Sequence, residues 1–60
     1  MRVRITKYGR WDERCNWQIE DRREKDMDPE LLISAGYRYN ARYDEYINEY
    51  GNHRVVVKAI

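Results

Sequence analysis

The feature that most constrains this chain is the segment YRYNARYDEYINEY at residues 37 to 50, which holds five of its six tyrosines. The 60-residue chain contains no phenylalanine, and valine, leucine and isoleucine together fill only eleven positions. A chain of this length buries only about 60% of the surface that its unfolded form exposes. Each aromatic ring adds roughly 150–250 Å² of burial. The sequence therefore predicts one small domain, residues 1–60, in which tyrosine and tryptophan supply much of the core.

The spacing of these tyrosines predicts a helix. At 100° per residue, Tyr39, Tyr43, Tyr46 and Tyr50 lie within about 60° of one another on a helical surface. Gly51 follows at the position where a glycine commonly ends a helix. A buried hydroxyl without a hydrogen-bond partner costs about 1–3 kcal/mol. We therefore expect the rings to lie on a sheet with their hydroxyls at a hydrated rim.

Two stretches near the N-terminus alternate apolar and polar residues, which is typical of half-buried strands. The first contains Val3 and Ile5, and the second contains Cys15, Trp17 and Ile19. A turn at residues 9–10 would join them as a hairpin. If a residue of the first strand faces a residue of the second, both apolar sets share one face only when the two residue numbers add to an even number. Registers in which they add to 22 or to 20 both meet this condition.

A short helix is predicted over residues 29–35. Asp28 is a favourable N-cap, Pro29 suits the first helical position, and the acidic side chain that follows complements the positive end of the helix. Gly36 marks the C-terminal end. We expect Leu31, Leu32 and Ala35 to be partly buried. Residues 20–28, a mixed-charge run, are expected to form a solvated connection.

The last segment, RVVVKAI at residues 54–60, is β-branched and predicts a final strand. The resulting order is β-β-α-α-β. Placing the last strand beside the first gives an α+β domain, with a three-stranded antiparallel sheet in the strand order 2-1-3. Both helices are expected to pack on one face of this sheet.

The sequence contains no signature of an enzyme, a cofactor site or a metal site. Cys15 and His53 are the only residues that could form a catalytic thiol–imidazole pair, and such a pair also needs a cleft and an orienting group. Structural zinc takes four cysteine or histidine ligands. There is no phosphate-binding GxxxxGK motif. We therefore expect a non-enzymatic protein without a cofactor.

The first functional prediction is a protein-binding module, because tyrosine, tryptophan and arginine dominate interface hot spots. Short, charge-rich, tyrosine-rich chains suggest an inhibitor or modulator of viral or mobile-element type that occupies a surface of a larger host enzyme. The other protein partner is a second copy of the chain, in a homodimer. The predicted contact residues are Trp11, Tyr37, Arg38, Tyr39, Arg42, Tyr43, Glu45, Tyr46 and Glu49.

The alternative prediction is a small nucleic-acid-binding domain that uses a basic face of the sheet. Its predicted phosphate contacts are Arg2, Arg4, Lys7, Arg10, Arg54 and Lys58. Two features weigh against it. The net charge is only +1, and alternation places Tyr8 on the open face but points Trp17 inward, whereas sheets that bind single strands present several rings for base stacking.

The sequence also predicts a cytoplasmic protein. A single cysteine allows no internal disulfide, which small secreted domains usually need. The first ten residues alternate charged and apolar side chains and do not resemble a signal peptide. No run is long enough to span a membrane.

Overall fold

The computed structural model of the chain describes residues 1–10, 14 and 16–60. Within these residues the elements are β1 (Arg2–Arg10), β2 (Trp17–Asp26), α1 (Pro29–Ser34), β3 (Arg38–Asn40), β4 (Glu45–Tyr50) and β5 (His53–Ala59). The strands form one antiparallel sheet in the order β2-β1-β5-β4-β3. The predicted three-stranded α+β arrangement is therefore wrong. The first strand does lie between the second and the last, but two further strands continue the sheet.

The segment predicted as the tyrosine helix is a β-hairpin. Tyr39 on β3 lies directly opposite Tyr46 on β4, and their ring centroids are 5.0 Å apart. The Asn40 side chain accepts a hydrogen bond of 3.1 Å from the Arg42 backbone N–H, and Asp44 has a left-handed φ of 51°. Asparagine and aspartate favour turns closed by a side-chain oxygen and tolerate the left-handed conformation, and tyrosine favours strands. Local turn chemistry and strand propensity therefore override the helical spacing.

The second strand is longer than predicted, and the charged run at residues 20–28 is mostly strand. Arg2 lies opposite Asp26, and Arg4 lies opposite Glu24. These partners have residue numbers that sum to 28, so neither predicted register is correct. Opposite charges face each other across the pair, with N–O distances of 3.8 Å and 3.3 Å. Gly9, predicted in the turn, lies within β1.

The short helix agrees with its predicted signals. The Asp28 carboxylate accepts a hydrogen bond of 3.0 Å from the Glu30 backbone N–H, and Gly36 follows the helix with a φ of 94°. Leu32 is buried, as predicted. Leu31 and Ala35 are exposed, so their predicted burial is wrong. The helix has only six residues, so only one of its side chains points fully towards the sheet.

The two faces of the sheet have different surroundings. One face, which we call the covered face, carries Val3, Val55 and Val57, and Leu32 of α1 completes this buried core. The side chains of Ile5, Met27, Tyr37 and Tyr46 pack around it. The opposite face, which we call the open face, carries Thr6, Tyr8, Arg54 and Val56 near its centre. Directly opposite residues share a face in an antiparallel sheet, so the register fixes both sets.

The β4–β5 connection is a two-residue loop at positions 51–52, because Tyr50 pairs with His53. Gly51 adopts a φ of 54°, which glycine reaches without steric cost. Its predicted role as the end of a helix is therefore wrong, and it forms a tight hairpin turn instead.

Candidate nucleic-acid interface

An irregularity in the β1–β2 pair determines which side chains reach the open face. Lys7 lies opposite Asp21, but the next pair joins Tyr8 to Ile19. Glu20 is therefore an extra residue in β2, which makes a β-bulge. An extra residue reverses the alternation along the rest of a strand. Trp17 consequently lies on the open face with Tyr8, and the prediction that it points inward is wrong.

The bulged Glu20 occupies the covered face. Its carboxylate lies 3.9 Å from the Lys7 Nζ and 3.6 Å from the His53 Nδ1. Gly9 provides the room, because a Cβ at this position would overlap the carboxylate. The glycine at residue 9 thus accommodates a bulge rather than a turn.

Trp17 is in contact with two arginine side chains on the open face. The guanidinium carbon of Arg10 lies 4.6 Å from the Trp17 ring centroid, and that of Arg54 lies 4.7 Å from it. Both distances are typical of cation–π interactions. The Arg54 Nη2 also donates a 3.0 Å hydrogen bond to the Glu49 Oε1. The indole therefore holds two positive groups close together.

A shallow depression of about 300 Å³ lies beside this cluster. It is lined by residues from four of the five strands, which are Tyr8, Trp17, Glu45, Arg54 and Val56. Side chains from β2 and β4 reach the same depression although β1 and β5 lie between them. The sheet therefore curls around this part of the open face.

The open face is more positive than the chain as a whole. Within the described strands, the register places seven cationic side chains there: Arg2, Arg4, Arg10, Arg22, Arg38, Arg54 and Lys58. It places four carboxylates on the same face: Glu24, Asp26, Glu45 and Glu49. The other positions of the chain then hold five cations and seven carboxylates. The nearly balanced composition conceals this separation of charge.

Besides the short Arg54–Glu49 contact, three ion pairs on the open face are long or exposed. Arg2–Asp26, Arg4–Glu24 and Arg38–Glu49 have N–O distances of 3.8, 3.3 and 3.9 Å. At least one side chain of each pair is more than two-fifths exposed. Exposed pairs of this kind are worth about 0–1 kcal/mol. A stronger anion such as a phosphate group can therefore replace them at small cost.

Five of the six basic residues predicted to contact nucleic acid share the open face. They are Arg2, Arg4, Arg10, Arg54 and Lys58. Lys7 is the exception, because it lies on the covered face opposite Val55. Sequence reasoning missed Arg22 on this face because β2 is longer than predicted, and it missed Trp17 because the bulge reverses its side.

The residues predicted to bind a protein partner do not form one surface. Tyr39 and Tyr46 lie on the covered face, whereas Arg38, Glu45 and Glu49 lie on the open face. Two residues, Arg42 and Tyr43, lie in the exposed turn between β3 and β4, with the guanidinium 5.5 Å from the ring. Tyr37 is half-buried against the core, and burial raises its pKa. Trp11 lies outside the described residues.

No group of three or more histidine, cysteine, aspartate or glutamate side chains in the described part of the chain is arranged to hold a metal ion. Cys15 lies outside the described residues, so its predicted place in the apolar set of the second strand is untested. His53 packs against Tyr50 with ring centroids 5.4 Å apart. No helix among the described residues has the length and apolar character needed to cross a membrane.

Comparisons with protein-family models, with curated proteins and with solved structures find no match to this chain. We therefore infer function from the side chains themselves.

Proposed function

We propose that this protein is a small non-enzymatic module that binds nucleic acid on the open face of its sheet. The observation that carries the proposal is the bulge at Glu20, which brings Trp17 onto the same face as Tyr8 and five predicted basic residues. Ring and charge together are what a sheet needs in order to hold bases and phosphates.

Charge supports the proposal independently of the rings. Within the described strands, seven cations against four carboxylates give the open face a net charge of +3, whereas the whole chain carries +1. Binding to a polyanion depends on such a local excess, because cations that neutralise phosphates release condensed counterions. Overall composition therefore does not exclude a nucleic-acid ligand here.

Fluorescence anisotropy with labelled oligonucleotides tests the proposal. We expect binding at about 50 mM salt that weakens by orders of magnitude towards about 200 mM, because several phosphates are contacted. Lys58→Gln should weaken binding and reduce the slope of log K against log salt by about one. Lys58 is exposed on the open face, so this change should leave folding intact.

Lys25→Gln is the matched control. It removes the same charge from an exposed strand residue, but Lys25 lies opposite Val3 and belongs to the covered face. We expect a smaller loss of affinity in this variant and a nearly unchanged salt slope. Equal losses in the two variants would show that binding is not confined to the open face. Absence of binding at low salt would reject the proposal.

A protein partner is the second candidate function. Tyr39 and Tyr43 are 49% and 52% exposed, so large aromatic side chains are present at the surface near the β3–β4 turn. Under this alternative, a larger partner or a second copy of the chain covers these rings. Tyr43→Ala should then weaken complex formation or shift the mass measured by light scattering, and it should leave oligonucleotide binding unchanged. If light scattering gives the mass of a monomer both for the wild type and for Tyr43→Ala, the homodimer is rejected.

A further inference from the structure

We infer that the open face takes a single strand and seats one base in the depression beside Trp17, where Glu45 accepts a hydrogen bond from an amino group of that base. This inference rests on the proposed nucleic-acid function and names the ligand form and the base chemistry. Three observations carry it: the breadth of the sheet, the ring–guanidinium cluster and the position of Glu45.

The breadth of the sheet argues against insertion of this face into the major groove of a duplex. The rings and their arginines lie on β1, β2 and β5, which are three adjacent strands of five. Strands are about 4.8 Å apart, so five of them span roughly 19 Å. The major groove of a duplex is about 12 Å wide and admits a two-stranded ribbon. Bases can reach this cluster only when they are unpaired and turned out of a stack.

The cluster around Trp17 provides a stacking surface for such a base. Arg10 and Arg54 already lie against the indole, and a guanidinium plane is itself a surface on which bases stack. Tyr8 lies beside Arg54 as its direct partner across the β1–β5 pair. A base that enters the depression therefore meets an aromatic ring and a guanidinium together, and its phosphates meet the surrounding cations.

Glu45 gives the depression a chemical preference. The side chain is half-buried and lines the depression, and its carboxylate makes no hydrogen bond or ion pair with another residue of the described chain. An ionised carboxylate accepts hydrogen bonds and cannot donate them. Cytosine, adenine and guanine offer an exocyclic amino group. Uracil and thymine have no amino group, and their one donor on the pairing edge, the ring N3–H, lies between two carbonyl oxygens that a carboxylate repels. The site should therefore favour a base that carries an amino group.

Cytidine and uridine oligomers of about eight nucleotides test the inference, because both are single-stranded pyrimidines that differ at position 4 of the base. We expect the cytidine oligomer to bind about tenfold more tightly, as one hydrogen bond to a charged group allows. The same order should hold for the deoxyribose versions. A duplex of equal phosphate content should bind more weakly than the cytidine strand and should produce less quenching of tryptophan fluorescence.

Glu45→Gln is the diagnostic variant and Glu24→Gln is its control. Both substitutions remove a negative charge from the open face, so both should raise affinity for every strand. Glutamine both donates and accepts, so only Glu45→Gln should bring the cytidine-to-uridine ratio close to one. Glu24 does not line the depression, and its variant should keep the wild-type ratio.

The possible failures are distinguishable. A duplex that binds as tightly as the cytidine strand, or a cytidine-to-uridine ratio near one in the wild type, would overturn this inference and leave the proposed function standing. A ratio that survives Glu45→Gln would also overturn it. If no nucleic acid binds at low salt, the proposed function falls together with the inference.

Discussion

The two faces of this sheet are built from alternate residues of the same strands, yet they differ in almost every physical respect. The covered face joins Val3, Val55 and Val57 to Leu32 in a buried core. The open face surrounds Thr6 and Val56 with cross-strand pairs of opposite charge and with the Trp17 cluster. Neighbouring residues on one strand therefore experience very different environments.

This difference shows how a short chain can separate stability from binding. A core this small rarely supplies more than roughly 3–5 kcal/mol of net stability. Four aliphatic residues and the rings around them provide most of it on the covered face. The open face is then free to carry an excess of positive charge, which adds little to stability because exposed ion pairs are weak.

The strongest way to test this separation is to truncate two consecutive valines of β5. Val57 is 1% exposed on the covered face, whereas Val56 is half-buried on the open face. Val57→Ala leaves a cavity and should lower the free energy of unfolding by about 2–3 kcal/mol. Val56→Ala should cost less than about 1 kcal/mol, because the side chain is already partly hydrated. Urea unfolding followed by circular dichroism measures both values.

Oligonucleotide binding gives the converse comparison for the same pair. Val56 lines the depression, so Val56→Ala should weaken binding by a small factor. Val57→Ala should bind normally under conditions in which it stays folded. Equal destabilisation by the two substitutions would show that the open face contributes as much core as the covered face.

The N-cap of α1 offers a smaller test of the same separation. Asp28→Ala removes the hydrogen bond to the Glu30 N–H and should cost about 1 kcal/mol. Asp28→Asn retains a capping oxygen and should cost little. Because α1 covers only one face, neither variant should change oligonucleotide affinity at temperatures where both are folded. A selective loss of affinity in Asp28→Ala would indicate that the helix supports the open face.

Local signals were sufficient to predict some parts of this fold. The α1 helix follows from its cap, its proline and its terminal glycine, all within ten residues. The β-branched run at residues 54–60 likewise predicts β5. The tyrosine segment was ambiguous, because Tyr39 and Tyr46 are separated by seven residues, which suits two helical turns and also a hairpin. Asn40 and Asp44 were the residues that indicated a turn between them.

The candidate site could be predicted only in part, for a different reason. Its basic residues on β1 and β5 follow from simple alternation, which holds along both strands. The position of Trp17 does not follow from alternation, because one extra residue in β2 moves its side chain to the other face of the sheet. A bulge depends on how Glu20 fits over Gly9 in three dimensions, and no local pattern in the strand marks it. The side chain that completes the site is thus the one that sequence alone placed wrongly.

The smallest expected effect concerns the hydroxyl of Tyr39, at the far edge of the covered face. It donates a 2.7 Å hydrogen bond to the Asp44 Oδ1, and this bond, with a lesser effect of burial, holds the pKa of Tyr39 above its usual value of 10.0. A raised pKa means that folding favours the protonated phenol. This contribution is complete below about pH 10 and is lost as the pH rises through the higher pKa of the folded state.

Tyr39→Phe should therefore lower stability slightly at neutral pH, and its deficit relative to the wild type should close at strongly alkaline pH. Tyr43→Phe is the control, because the Tyr43 hydroxyl makes no hydrogen bond within the described chain and its loss should leave stability nearly unchanged. Unfolding in urea at a series of pH values measures both differences. A Tyr39→Phe deficit that stays constant with pH would show that the substitution acts through the packing of the ring and not through the hydrogen bond of the hydroxyl. In that case packing alone would stabilise this edge of the covered face, and the hydrogen bond from Tyr39 to Asp44 in the β3–β4 turn would not contribute.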